Sequence, residues 1–543
     1  MKTIFKASIS HILLLILFGS VFSSCYKRDF DKLKLANATP GFLYPLIDAE
    51  LSMQDIVDPS KKQLNITEDV DGFYTFIYYQ DLLEKSITDL LNIEDISTTQ
   101  SVSLTGAEVG ALPGSVTVTH PFSKTLTLDV TNGEELKKIT VKSGSLPFSI
   151  SSTFRHNIEI VVTFPYIKRN NIPLTKTITL NYTGTVPMVS YSSIDLAGYI
   201  IDCSENNTKV NTISYTGTVK VTHISGNPIN TTQKVDFTTG IMDVEYSYIE
   251  GYIGQYVINI PQDSVAIDIF DNAFLGSIFF TDPKVRTIIT SSVGAPSTMK
   301  MDQLVTKSTI TGTTTITGSI INTNIPINYP SISQVGQEET TTIQLDKTNS
   351  NVQTVFNPAP NKVIYQMSAI VNPAGPTANF VTDNSKIKIR GEVEIPMEGK
   401  ITQLILKDSI NGMTFPDLVV SGKKVLITGA TFNLSMQNGF PMNASVQMYF
   451  IDDANVIVDS LFASPHLIMS AAVDATGKVT TPSDVMIKEV FDQERYSRIT
   501  STTKAVIYAY FSTVDNGSVP VRIYSSYKIK SKIGLDVHAD VTF

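Results

Sequence analysis

The chain has no tryptophan and only two cysteines, Cys25 and Cys203, in 543 residues. That scarcity excludes a disulfide-rich scaffold and any paired-cysteine zinc motif. Lys and Arg number 42 against 51 acids, a formal net charge of −9, and no basic cluster occurs. Binding to phosphate backbones needs Lys and Arg gathered on one face, so nucleic acid is excluded as a partner. After residue 24 no apolar run approaches the roughly 18 residues that mark a membrane-spanning helix.

Catalytic signatures are missing as well. The chain has neither a Gly-x-Ser-x-Gly elbow nor a phosphate loop. His120, His156, His223, His466 and His538 stand singly along strands or turns, at no spacing that sets two on one metal. "EDVDGF" (68–73) has the acidic core of a calcium loop, but Tyr78 stands where the closing acid belongs, so it reads as a turn. "IDDANVIVDS" (451–460) suits a hairpin loop. Cys203, in "GYIIDCSEN", reads as a small buried side chain at a strand end and not as a nucleophile. The expectation is a protein without catalytic residues, metal or cofactor.

What is present is alternation. "KTLTLDV", "IEIVVTF", "NTISYTGTVKVTH", "KIKIRGEVEI" and "ASVQMYF" place apolar residues at every second position, are rich in Thr, Val, Ile and Tyr, and are punctuated by Gly, Pro, Asn and Asp. Each should bury one face and wet the other. The fold class is therefore all-β: tandem antiparallel β-sandwich-like domains with a few short helices. Helical spacing predicts helices at 80–93 and 482–499, the second opened by a Ser-Asp cap. Joints such as "NNIPLTKTITL" (170–180) and "NGFPMNASVQMYF" (438–450) set a proline at a strand start or edge. The Pro- and Asn-rich stretch 357–380 reads as a linker, with a softer boundary near 183–198. These divide the chain into a leader at 1–24, a tether at 25–40, an N-terminal β-rich domain at 41–190, a middle sandwich at 191–356 and a C-terminal sandwich at 357–543.

The leader has a basic start at Lys2 and Lys6, an apolar stretch from Ile12 to Phe18 and a small-residue tail ending at Ser24. It is too short to span a bilayer, which takes about 20 residues. "VFSSC" (21–25) resembles the lipobox of bacterial lipoproteins, with Ser23 and Ser24 fitting and Phe22 departing from the usual leucine. The resemblance implies a diacylglycerol on the Cys25 sulfur, cleavage just before it, and an outer-membrane lipoprotein of Bacteroidota type. Each buried methylene contributes about 0.8 kcal/mol, so two or three acyl chains would hold the protein on the membrane. Cys203 would then have no partner for an intrachain disulfide. Which face of the outer membrane the protein occupies stays open.

Fainter likenesses bear on function. "FTDPKVRTIITSSVGAPSTM" (280–299) is similar in pattern to late-embryogenesis-abundant and tubular lipid-binding β modules, with no catalytic residue to carry over. Asp-Ser followed by an aliphatic residue, at Ser264, Ser409 and Ser460, resembles an O-glycosylation motif of Bacteroidota. The favoured reading is a non-enzymatic lipoprotein that binds or scaffolds another envelope protein. A lipid carrier with an apolar groove between curved sheets, a glycan-binding lipoprotein and an enzyme with scattered acids are the alternatives. The missing tryptophan counts against glycan, although tyrosine can substitute. The chain ends on an alternating strand and Phe543, as many outer-membrane barrels do, but its proline-interrupted joints break the rhythm a closed barrel requires.

Overall fold

In a computed structural model, the structure describes residues 41–52, 63–267, 273–411, 415, 419–420 and 423–540. The leader, Cys25, the tether to residue 40 and Phe543 lie outside them. Strands take 61% of the described residues and helix 6%, and every pairing between the described strands is antiparallel. The strands stack as three sandwiches, the first of them formed by the two halves of a single ten-stranded sheet.

In the first sandwich, one wall is Ile96–Ser103, Lys234–Tyr252, Glu135–Ser152 and Met188–Asp195. The other is Thr117–Thr127, Thr212–Thr222, Asn157–Arg169 and Ile172–Leu180. Short Ile200–Asp202 pairs with a strand of each and ties the walls together. Alternation places Ile213, Tyr215, Val219 and Val221 inside, where Phe122, Phe148, Phe164, Tyr215 and Phe237 meet at ring separations of 5.1–6.3 Å. Such tilted and edge-on contacts suit the ring quadrupoles. Gly217 is required here, because a Cβ at that position would overlap the Phe122 ring lying across it.

The second pair sets Tyr256–Ala266, Lys362–Val371 and Ser297–Ser308 against Glu339–Leu345, Lys284–Ser291, Lys386–Pro396, Tyr74–Ser86 and Leu64–Glu68. Tyr365 crosses between them: its hydroxyl donates to the Glu392 carbonyl at 3.3 Å. These two sandwiches share one apolar core. The third pair has a core of its own around Phe432, Phe450, Phe491, Tyr496 and Leu535. Its terminal sheet runs Gly41–Ser52, Lys528–Asp540, Leu426–Asn438, Ser483–Asp492. The facing sheet is built on Ala273–Phe280, Glu398–Asn411, Lys504–Thr513 and Met442–Ile451.

Both expected helices need correction. Residues 80–86 continue the strand Tyr74–Ser86, and only Ile87–Asp89 turns, as a single 3₁₀ turn. Eleven pairings with Lys386–Pro396 outweigh the helical spacing of its leucines, and a bulge beside Leu82 keeps that side chain in the core. Within 482–499, Ser483–Asp492 is a strand, because Ile487 and Phe491 keep period two against Leu426–Asn438. The helix is Gln493–Thr500, and its cap is Asp492, whose carboxylate accepts the Arg495 amide at 2.7 Å.

The stretch read as a linker contains Lys362–Val371, the central strand of its sheet, and its prolines flank that strand in turns. Pairing also joins what the sequence set apart. Tyr74–Ser86 pairs with Lys386–Pro396, Glu135–Ser152 with Lys234–Tyr252, and Gly41–Ser52 with Lys528–Asp540.

Candidate functional site

Cys25, the residue on which anchoring rests, lies outside the described residues. Cys203 is fully buried just after Ile200–Asp202, and its thiol faces the Ile201 carbonyl at 4.0 Å. Burial, with the Asp202 carboxylate beside it, pushes the thiol pKa far above its ordinary value. A sulfur held neutral and out of solvent is a packing group.

Tertiary structure brings together two histidines that sequence spacing keeps 67 positions apart. The rings of His156 and His223 lie 5.2 Å centroid to centroid. His156 is completely buried, and its Nδ1 accepts the Ile224 amide at 3.1 Å. Burial first, and His223 second, lower its pKa against the opposing Pro228 carbonyl, so the ring stays neutral. The other histidines go elsewhere: His120 meets Glu108 at 3.0 Å, His466 packs on Phe462 and His538 faces Asp536. Among the described residues no three His, Cys, Asp or Glu side chains are grouped to hold a metal ion.

The acidic motifs are turns. Asp69 accepts the Asp71 and Phe73 amides, both at 2.9 Å, and Asp452 accepts the Val456 amide at 2.8 Å with Asn455 left-handed. A carboxylate pair the sequence reading missed, Glu392 and Glu394, shares one face of Lys386–Pro396. Lys284, at 2.8 Å, and Arg286 hold Glu394. Burial raises the Glu392 carboxyl pKa despite Arg286 and Arg390 nearby. The Glu394 carboxylate is thus satisfied by cations from the neighbouring strand Lys284–Ser291. Of the Asp-Ser sites, Ser409 is exposed and Ser264 half-buried; the Ser460 hydroxyl donates to the Phe462 carbonyl at 2.8 Å.

Two outward sheet faces remain. On the first sandwich, alternation turns threonine and serine outward from four neighbouring strands, so that Ser123, Thr216, Thr163 and Thr175 form one cross-strand row. The Thr163 and Thr175 hydroxyls bond at 3.1 Å, as do Thr125 and Ser214 in another row. An open groove of about 510 Å³ runs over this face, lined by Pro121, Ser123, Val161, Thr163, Thr216 and Thr218, with Phe122 and Gly217 at its floor. None of these side chains ionises, so the groove can bind through hydroxyls and apolar contact but supplies no acid or base. On the third sandwich, Tyr449, Tyr508 and Tyr510 share an outer face, with rings 5.9 and 6.4 Å apart. The pattern "VIYAYF" contained that signal, since period two places Tyr508 and Tyr510 on one side.

No family model and no curated protein matches the chain. Among solved structures, a protein of Parabacteroides distasonis assigned as secreted is 12% identical, covering 55% of this chain and 90% of its own at a TM-score of 0.28. The structure of infectious bursal disease virus, Gt strain, is 8% identical over 90% of this chain and 87% of its own at a TM-score of 0.14. The VP2 subviral particle of the same virus is 7% identical over 85% and 82%, at 0.13. Superpositions this loose carry no argument about function. Among the described residues no helix is long and apolar enough to cross a membrane, which says nothing of strands.

Proposed function

We propose that this chain is a non-enzymatic outer-membrane lipoprotein, anchored through acyl chains on Cys25, that acts as a binding or scaffold subunit for another envelope protein. The observation that carries the reading is the open, hydroxyl-lined groove without an ionisable side chain on the first sandwich. Rows of threonine and serine flanked by Pro121 and Val161 suit a protein surface, which offers backbone amides and small apolar groups. A lipid carrier needs an enclosed apolar channel, and an open groove that mixes hydroxyls with apolar groups favours a partner protein over it.

The test is a mild-detergent pull-down through a C-terminal tag, with wild type beside Thr216→Arg and Val161→Arg. Both side chains face outward, so the variants should fold. One envelope protein recovered in stoichiometric yield with wild type and lost with both variants supports the reading. Equal recovery with all three removes the groove from it.

Glycan binding is a second reading, favoured by the tyrosine face, because phenol rings stack on sugar faces. Retention on insoluble polysaccharide that Tyr508→Ala abolishes would establish it in place of the first.

A further inference from the structure

The strand Ser483–Asp492 is the last of its sheet and pairs only with Leu426–Asn438 among the described residues. Its open edge can be assigned residue by residue. The Phe491 carbonyl lies so close to Gly429 that a Cβ there would meet it at 2.7 Å. The odd-numbered residues therefore bond inward to the sheet, and the amides and carbonyls of Asp484, Met486, Lys488 and Val490 face outward. The Val490 carbonyl agrees, since it accepts from Arg495 Nη1 at 3.4 Å on that open side. The same four residues direct their side chains to the outer face, where Met486 is 85% and Val490 66% exposed. An uncovered edge carrying two apolar side chains is a template for another strand.

We infer that the occupant is a second copy of the same strand, joined antiparallel about a two-fold axis through Met486. Such an axis can pass through a bonded pair, centred on a residue whose backbone groups face outward, or through a non-bonded pair, centred on one whose groups face inward. Centring on Val485, Ile487 or Glu489 sets neither Asp484 nor Lys488 opposite a complementary charge of the strand. Centring on Asp484 or Lys488 opposes that charge to itself, and the Lys488 centre also opposes Asp484 to Asp492. Centring on Val490 requires a carbonyl that Arg495 already holds and runs the pairing into the helix Gln493–Thr500.

Centring on Met486 alone is complementary. It sets Asp484 opposite Lys488 of the second copy at both ends and Met486 against Met486. It also sets Val490, whose carbonyl is taken, opposite Pro482, which has no N–H to offer it. On the inner face Val485 meets Ile487. The two four-stranded sheets become one eight-stranded sheet with Gly41–Ser52 at both outer edges.

The experiment uses the full chain in mild detergent. Met486→Cys is oxidised with a copper–phenanthroline catalyst, beside Val490→Cys and wild type. Directly opposed Cα atoms in a bonded pair lie about 5.5 Å apart, within disulfide reach, whereas the two copies of residue 490 would be about 27 Å apart. The expected result is a disulfide-linked dimer from Met486→Cys and none above the wild-type background from Val490→Cys. In size measurements, Asp484→Lys or Lys488→Asp alone should weaken dimerisation roughly tenfold, and the double variant should restore it. Met486→Pro removes only an outward N–H, so it should leave a folded monomer. A wild-type protein that stays monomeric at every concentration, equal cross-linking at 486 and 490, or a double charge reversal no better than the singles overturns the inference.

Discussion

The guanidinium carbon of Arg495 lies 3.8 Å over the centroid of the Phe491 ring. From there its Nε donates to Asp459 at 3.2 Å and its Nη2 to the Ser460 carbonyl at 2.6 Å, while Arg498 donates to the other Asp459 oxygen at 2.8 Å. The helix Gln493–Thr500 is thereby clasped to the strand Ile457–Ser460 across the open end of the third sandwich.

Arg495→Lys keeps the charge but loses the planar fork and much of the ring stacking. Stability should fall by roughly 2 kcal/mol, read as a lower denaturation midpoint by tyrosine fluorescence. An unchanged midpoint would show that the clasp contributes nothing. Burial pushes the Asp459 carboxyl up, but Arg498, the Ser460 amide and Arg495 outweigh it and hold it below the usual range. Its contribution is therefore present above about pH 4 and lost as pH falls through the lower, folded-state value.

His156 has the opposite charge type and the same direction of pH dependence. Its folded pKa is depressed, so the unfolded chain binds the extra proton first. Stability should be full above about pH 6.5 and decline as pH drops below it, because protonation at Nδ1 breaks the bond from the Ile224 amide. His156→Asn, which offers an acceptor that does not titrate, should flatten the melting temperature between pH 8 and pH 5. A slope as steep as wild type would assign the effect to other groups.

Gly217 tests the aromatic core of the first sandwich. Gly217→Ala drives a methyl into the Phe122 ring and should destabilise by about 1–3 kcal/mol. Adding Phe122→Leu, which clears the space, should recover part of that loss. Two independent, additive losses in chemical denaturation would count against the overlap.

Cys25 tests the anchor. Only a thiol can accept the lipid, so Cys25→Ala should leave the protein unprocessed or free of the membrane after fractionation. A variant as firmly bound as wild type would remove the lipoprotein reading.

Much of the architecture was legible in the sequence, because period two states which face of a strand is buried. "NTISYTGTVKVTH" foretold both the inward Ile213, Tyr215 and Val219 and the outward threonines of the groove. Cys203 could be placed at a strand end for the same reason. Period two does not state which strand lies alongside. That is set by side-chain fit and by closing long loops, as when Gly41–Ser52 finds Lys528–Asp540 across nearly the whole chain. Tertiary pairing therefore decided what local pattern left open. It decided that 80–86 and 483–492 are strands, that His156 meets His223, that three tyrosines share a face, and that no second strand among the described residues pairs with the edge from Asp484 to Val490.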